Sequence, residues 1–572
     1  MTQRLSKINR TGFKRFLCRP TKGERRILVA CFALVGFFAP LIYGYLKGFP
    51  VPYFHDEFSY LLGADTFANG RLTNPTPAFN EHFEAPHILI KPTYMSKYPP
   101  MQALFLAAGQ ISFGHPIFGV WLSCALAAAA LFWMLLAWTR PPWAVVGTLL
   151  MIFFIGVDYY WAQSYWGGTV AFAGGALFFG GFRRIIKEKA IFGSTLLMTF
   201  GGVLLINSRP FEGAIAMIPA LLLLLFRVLS KTKISYPRKL AQIVLPGFFI
   251  TCLTLCAIGY FNYRVTGNAL RFAYTEHQAQ YFSTPLFIFQ NKVETANAGT
   301  PRLRELYEFL NTSDFIRDLN EYNLPDIKYL YPVYAFVYLS LNLPYALMYP
   351  PLMLFLFVSL FFVTRKSRWM KFVLFTIIFT FACISFATYW NFTHYVAPLG
   401  CCFYLLLVQA FRYFWLTSKK AGKRNVTLIL LIAMTTASAY YQKFTAYDWI
   451  FGIVHNIERQ DFSKTTLNLN ESQTFPISVT ATQYRQLIEE TAAGDPQKYL
   501  IIVDYDKDFK CFDEIVFNKS DFQNAKVVWA LSLGEEKDRA LLNFYGDRKP
   551  LFVKIKRKKF RLSPNPGEPY PE

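Results

Sequence analysis

Long apolar runs separated by short polar punctuation dominate the chain. Runs near 27–48, 116–138, 142–157, 168–182, 190–207, 211–227, 239–261, 335–363, 370–389, 393–415 and 425–441 each approach the roughly 20 residues that an α-helix needs to cross a bilayer. They predict a polytopic α-helical membrane protein with about eleven transmembrane helices. A shorter apolar run, 99–113, is bounded by Tyr98-Pro99-Pro100 and Gly114-His115-Pro116, and predicts a juxtamembrane or re-entrant helix with both ends on one side.

The distribution of lysine and arginine tests this count. A basic stretch precedes the first run, which is too long for a signal-peptide core and is expected to be an uncleaved anchor with a cytoplasmic N-terminus. From that start the inward loops carry Arg140; Arg183, Arg184, Lys187 and Lys189; Arg227, Lys231, Lys233, Arg238 and Lys239; Arg365, Lys366, Arg368 and Lys371; and Lys419, Lys420, Lys423 and Arg424. The short outward loops carry only Arg209. Counting 99–113 as a full span would invert every later loop and break the pattern.

The transmembrane domain is thus expected over 1–441, with an outer loop at 49–115 and an outer segment at 263–334. A small extracytoplasmic α/β domain is expected over 442–572. In that tail Tyr499–Val503, Lys526–Leu533 and Leu551–Ile555 read as strands, with helices near Thr482–Ala493 and Glu535–Phe544. No glycine-rich phosphate loop follows these strands. The basic stretch Lys554–Arg561 and the prolines after it are expected to form a disordered tip.

Composition agrees with a membrane protein: 53% of residues are hydrophobic and 18% aromatic. The net charge of +23 could suggest nucleic acid, but 19 basic and 19 acidic residues balance from Gln442 onward, so the excess sits in the membrane portion and reports topology. No nucleic-acid partner is expected. Seven of the nine cysteines fall in apolar segments, with neither a disulfide framework nor zinc spacing.

The polar groups that could carry chemistry lie on the outward side. Asp56 and Glu57, in His55-Asp56-Glu57-Phe58-Ser59-Tyr60, follow the first span closely. A carboxylate at the membrane surface suits a general base, and Glu81 and Glu84 could join it in binding an acceptor, a sugar or a divalent metal; simple solvation is the alternative for each. Arg209, before Pro210 at an outer helix mouth, can fork to phosphate oxygens, or pair locally with Glu212. Lys97, Arg271, His277 and His394 are further substrate-binding candidates, each also readable as an ordinary surface, snorkelling or structural residue. Tyr98 starts the short helix, and Tyr165-Trp166 in an aromatic turn suit either sugar stacking or the bilayer interface. Gly167, Gly168, Gly174, Gly175, Gly180 and Gly181 suit close helix packing.

An outward-facing transferase in a bacterial membrane meets no pool of nucleotide sugars, so its donor must arrive through the bilayer. A polyprenyl-phosphate sugar fits, because its phosphate leaves without protonation. The first outer loop with Asp56-Glu57, the Lys97-Tyr98-Pro99-Pro100 helix start and the later outer arginine together resemble the GT-C superfamily of polyprenyl-phosphate-sugar-dependent glycosyltransferases, which includes protein O-mannosyltransferases and aminoarabinose transferases. Runs such as Asn207-Ser208-Arg209-Pro210-Phe211-Glu212-Gly213 and Tyr263-Arg264-Val265-Thr266-Gly267-Asn268 resemble those of uncharacterised bacterial members. The resemblance implies an inverting transfer at the periplasmic face of the inner membrane, with Asp56 as base, Glu57 as its neighbour, and a lipid, glycan or protein acceptor. The second outer aspartate of some members has only Asp158 as an approximate match, which leaves a divalent metal cofactor open. A transporter or flippase of lipid-linked sugars is the alternative, although charges at mid-membrane depth and inverted repeats are not seen in the sequence.

Overall fold

The computed structural model describes residues 15, 20–157, 159–231, 235–282, 286–287, 299–300, 302–304, 307, 325–388, 392–445, 467–476, 481–506, 514–556 and 559–566. Asp158 and most of the outer segment 263–334 lie outside them.

Helix α1 (Lys22–Lys47) starts at a capping box, in which the Thr21 hydroxyl accepts from the Glu24 amide at 3.3 Å and the Glu24 carboxylate accepts from the Thr21 amide at 2.5 Å. It is followed by α2 (His55–Ala68), the short strands β1 (Ile88–Leu89) and β2 (Met95–Ser96), and α3 (Pro100–Phe113). Next come α4 (Ile117–Trp138), α5 (Pro141–Phe154), α6 (Thr169–Ile186), α7 (Ile191–Ser208), α8 (Pro210–Leu229), α9 (Leu245–Thr266) and α10 (Ala273–Tyr281). The bundle closes with α11 (Pro325–Arg365), broken at Tyr349, then α12 (Arg368–Ser385), α13 (Gly400–Lys420) and α14 (Arg424–Thr445). Among the described residues nine helices are long and apolar enough to cross a membrane, and α5 and α14 occupy the two other expected positions. The chain is a multi-pass helical membrane protein.

The bundle packs tightly where side chains are small. On α6 a Cβ at Gly175 would lie 1.9 Å from the Pro398 carbonyl oxygen, and on α7 one at Gly201 would lie 2.6 Å from the Gly174 oxygen. Glycine there lets backbones approach as the sequence pattern predicts. The outer surface is lipid-like, with Phe248, Phe249, Leu253 and Leu255 of α9 exposed. The basic ends cluster at one end of the bundle: Arg183 stacks over Trp369 at 3.9 Å, Arg184 over Trp133 at 3.8 Å, and Lys187 donates to the Ala137 carbonyl at 2.6 Å.

The tail forms β3 (Gln473–Pro476), α15 (Ala481–Ala493), β4 (Tyr499–Tyr505), β5 (Val527–Leu531), α16 (Glu535–Phe544), β6 (Lys549–Lys556) and β7 (Lys559–Ser563). The sheet order is β3-β7-β6-β4-β5, with β4 parallel to both neighbours and the β6–β7–β3 edge antiparallel. The expectation of a disordered tip at Lys554–Arg561 is corrected: Ile555 pairs with Phe560, because Phe560 and Leu562 alternate into the core while charged residues face out. Residues 557–558 lie outside the described set.

Strand β4 is apolar on both faces, as suits a strand covered on both sides. Tyr499, Ile501 and Val503 pack with α15, whereas Leu500 and Ile502 join Phe58, Leu62, Phe83 and Ile88 of the outer loop in one core. Phe517 stacks on Phe58 at 4.1 Å, and Asp65 accepts from the Ser520 amide at 2.8 Å and its hydroxyl at 2.5 Å. The sheet therefore backs the helix that carries Asp56.

Candidate functional site

Helix α2 brings Asp56 and Glu57 to different surroundings. Glu57 is buried, and both its oxygens are spent on backbone: one accepts from the amides of Tyr53 (2.7 Å) and Phe54 (3.0 Å), the other from Tyr165 (2.9 Å). It closes the start of α2 and ties it to the aromatic turn. Burial pushes its carboxyl up despite these donors. Glu57→Ala strands three amides at a cost of about 1–3 kcal/mol each. We expect a fall in thermal stability, read by scanning fluorimetry; an unchanged melting temperature would refute this role.

Asp56 is half-buried in the first turn, where the helix N-terminus favours a carboxylate. One oxygen accepts from the Tyr98 hydroxyl and the other lies 3.8 Å from His87 Nε2. Tyr98 stacks on Tyr60 at 4.5 Å and neighbours Tyr274 at 6.3 Å.

Arg209 reaches the same cluster from the α7–α8 junction. Pro210 at the first position of α8 needs no amide partner, so the chain turns sharply there. The guanidinium lies over Tyr395 at 4.7 Å and, among the described residues, makes no ion pair or hydrogen bond; the local pair with Glu212 does not form. Burial pushes the Tyr60 hydroxyl up to about 12, with Arg209 pulling it down and Asp56 and Glu212 pushing it up. Burial also raises Tyr274, and the same three charged groups act on it. Asp56, Glu212 and Arg209 thus all lie near enough to Tyr60 and Tyr274 to act on them electrostatically. A narrow groove opens beside them, lined by Pro99, Pro100, Ile206, Ile258, Phe261 and Phe272 and ending at Lys97, Tyr98 and Tyr274.

Other expected residues are placed elsewhere or used otherwise. Tyr165 is buried with its hydroxyl on the Pro50 carbonyl at 2.9 Å, and Trp166 is packed among Phe54, Tyr160 and His394. His394 is buried with Nδ1 3.0 Å from the Tyr160 hydroxyl, the structural alternative. Arg271 is exposed and paired with Glu276 at 2.6 Å. Glu84 accepts from the Thr300 amide at 2.6 Å, and Glu81 pairs with Lys537 at 2.6 Å. His277 is buried against the Tyr307 hydroxyl at 2.9 Å. Among the described residues no group of three or more His, Cys, Asp and Glu side chains is arranged to hold a metal ion.

His87 is the residue that sequence reading missed. The hairpin signal was present, since Ile88-Leu89-Ile90 and Tyr94-Met95 flank Lys91-Pro92-Thr93. Pairing of Ile88 with Ser96 brings His87 beside Lys97, whose amide donates to the His87 carbonyl at 3.3 Å.

No known protein family and no curated protein matches the chain. Among solved structures it is similar to the Archaeoglobus fulgidus oligosaccharyltransferase complexed with Zn and sulfate, at 13% identity and a TM-score of 0.41 over 83% of this chain and 59% of that one. The apo form of that oligosaccharyltransferase gives 12% identity and a TM-score of 0.43 over 84% and 62%. The archaeal oligosaccharyltransferase AglB from Archaeoglobus fulgidus, complexed with an inhibitory peptide and a dolichol-phosphate, gives 12% and 0.39 over 84% and 62%. The chain spans about three fifths of the length of these structures, and the case for a site rests on its own residues.

Proposed function

We propose that this protein is a glycosyltransferase that moves a sugar from a polyprenyl-phosphate donor to a hydroxyl acceptor at the outer face of a bacterial inner membrane, with inversion. The observation that carries the reading is that Asp56 meets the Tyr98 hydroxyl, whose ring stacks on Tyr60 and neighbours Tyr274, while Arg209 lies over Tyr395 and acts electrostatically on the same Tyr60 and Tyr274, beside an apolar groove between α7 and α9. The groove is only about 20 Å³ in this structure and has to widen to admit an isoprenoid chain from the bilayer; it stops at Lys97, Tyr98 and Tyr274, where a headgroup would meet polar side chains.

In this mechanism Arg209 forks to the donor phosphate, and Asp56 takes the proton from the acceptor hydroxyl as its oxygen attacks the anomeric carbon. The bond from that carbon to the phosphate oxygen breaks, and its electrons leave on polyprenyl phosphate, whose charge Arg209 balances. Tyr98 donates to one Asp56 oxygen and so holds the carboxylate in place until the acceptor arrives. A second carboxylate is not required, which agrees with Glu57 being committed to backbone amides.

The test is purified protein in proteoliposomes, given a panel of undecaprenyl-phosphate sugars and a bacterial envelope fraction as acceptor. Release of undecaprenyl phosphate coupled to sugar incorporation is expected. Translocation of the lipid-linked sugar with no transfer would overturn the reading in favour of a flippase.

A further inference from the structure

Behind Asp56 lies a buried set of groups with no part in the mechanism so far: His87, Lys97, His277 and Tyr307. His87 adopts a φ of +64°, a left-handed conformation that a residue with a Cβ rarely holds unless its surroundings enforce it. They do so here. Its amide donates to the Tyr307 hydroxyl at 2.8 Å, and its carbonyl accepts from the Ser59 hydroxyl at 2.7 Å and from the Lys97 amide. The ring is thereby aimed, with Nε2 3.8 Å from Asp56 and Nδ1 2.9 Å from Lys97 Nζ.

Lys97 is 4% exposed, and among the described residues it has no ion pair. Its Nζ instead faces the rings of Tyr274 at 4.9 Å, Tyr98 at 5.2 Å and Phe282 at 5.3 Å. An ammonium group can only donate, so a protonated Lys97 must donate to Nδ1, and the ring proton must then sit on Nε2, facing Asp56. A neutral amine can accept instead. Nδ1 could then carry the proton, and Nε2 would turn a lone pair toward the carboxylate.

We propose that Lys97 and His87 are positioning residues for the base: the ammonium fixes the imidazole proton on Nε2, and that N–H dipole faces, across 3.8 Å, the Asp56 oxygen that Tyr98 does not hold and acts on it electrostatically. This rests on the reading of Asp56 as base, and it gives Lys97 a task other than binding phosphate.

The groups facing His87 are Asp56, Lys97, His55, His277, Tyr98 and Tyr307. Burial holds His87 and His277 well below the usual histidine range, so both stay neutral near pH 7. Burial also pushes Lys97 down to about 7. Lys97 is therefore the member of the set that changes charge near neutrality, protonated below and neutral above. A carboxylate base alone gives activity that rises with pH to a plateau; this arrangement adds a fall above about pH 7.

Nitrogen-15 NMR of histidine-labelled protein in proteoliposomes tests the tautomer without any substrate. The chain has seven histidines, and His87→Gln identifies the signal. We expect the Nε2–H form at pH 6, a shift toward Nδ1–H by pH 9, and retention of Nε2–H throughout in Lys97→Arg, whose guanidinium stays charged. No change with pH in wild type, or a Lys97→Arg variant that follows wild type, would overturn the proposal. With any donor that turns over, the high-pH limb of kcat should move up by at least about one unit in Lys97→Arg, and His87→Phe should lower kcat about 10- to 100-fold with donor KM little changed. Full transfer by Asp56→Asn would remove the base reading while leaving the NMR result standing, so the two failures are distinguishable.

Discussion

Asp56→Asn is expected to lower the transfer rate about 100- to 10,000-fold, the range that a positioned general base contributes. The amide still accepts from the Tyr98 hydroxyl, so thermal stability and donor KM should change little. The sign of the change is informative. An asparagine fills the same volume but cannot take the acceptor proton, so the loss must appear in kcat. Equal loss of stability would instead mark Asp56 as structural, the pattern expected of its neighbour Glu57, whose oxygens already serve three amides.

The second large effect is at Arg209. Removing a preorganised cation from a developing phosphate charge costs about 2.7–4 kcal/mol, or 100- to 1,000-fold in rate. Arg209→Ala should show this loss in kcat/KM for the donor. Arg209→Lys keeps a charge but loses the fork and the flat stacking on Tyr395, and should recover only part of it. The guanidinium makes no hydrogen bond or close ion pair among the described residues, but its charge faces the Glu212 carboxylate; Arg209→Lys keeps that charge, so a loss of rate in Arg209→Lys at an unchanged melting temperature separates phosphate binding from a structural role. A wild-type rate in Arg209→Ala, measured by release of undecaprenyl phosphate, would remove the phosphate-binding role.

The membrane architecture was legible because bilayer thickness imposes a length on every span and basic residues collect on one side. Strands β4 and β5 were equally plain, being apolar runs bounded by polar turns. Strand β7 was hidden by Lys559 and Arg561: its apolar residues are Phe560 and Leu562, and two residues are a weak alternation. The docking of Phe517 on Phe58 could not be read at all, because it joins positions far apart in sequence through a tertiary contact.

At the candidate site, residue types were easier to recognise than their division of labour. Asp56 and Glu57 are neighbours in the chain, yet successive helix positions point about 100° apart, so one meets the tyrosine cluster and the other the backbone of the aromatic turn. Tyr165 and Trp166 carried the composition of a sugar platform, but the Tyr165 amide donates a hydrogen bond to the Glu57 carboxylate and Trp166 packs around His394, which buries both. Their hydrophobic area is spent on holding the loop. Lys97 read as a substrate-binding cation at the membrane edge or an ordinary snorkelling residue; the β1–β2 hairpin turns it inward against His87.

The central claim is that Asp56 and Arg209 flank one phosphosugar. A cryo-electron microscopy structure of the protein in nanodiscs with a non-cleavable phosphonate analogue of an undecaprenyl-phosphate sugar tests it most directly. The account predicts the phosphonate within hydrogen-bond distance of Arg209, the isoprenoid chain between α7 and α9, and the sugar's anomeric carbon turned toward Asp56. A headgroup bound at the opposite end, among Arg183, Arg184 and Lys187, or held with Asp56 out of reach of the sugar, would contradict it.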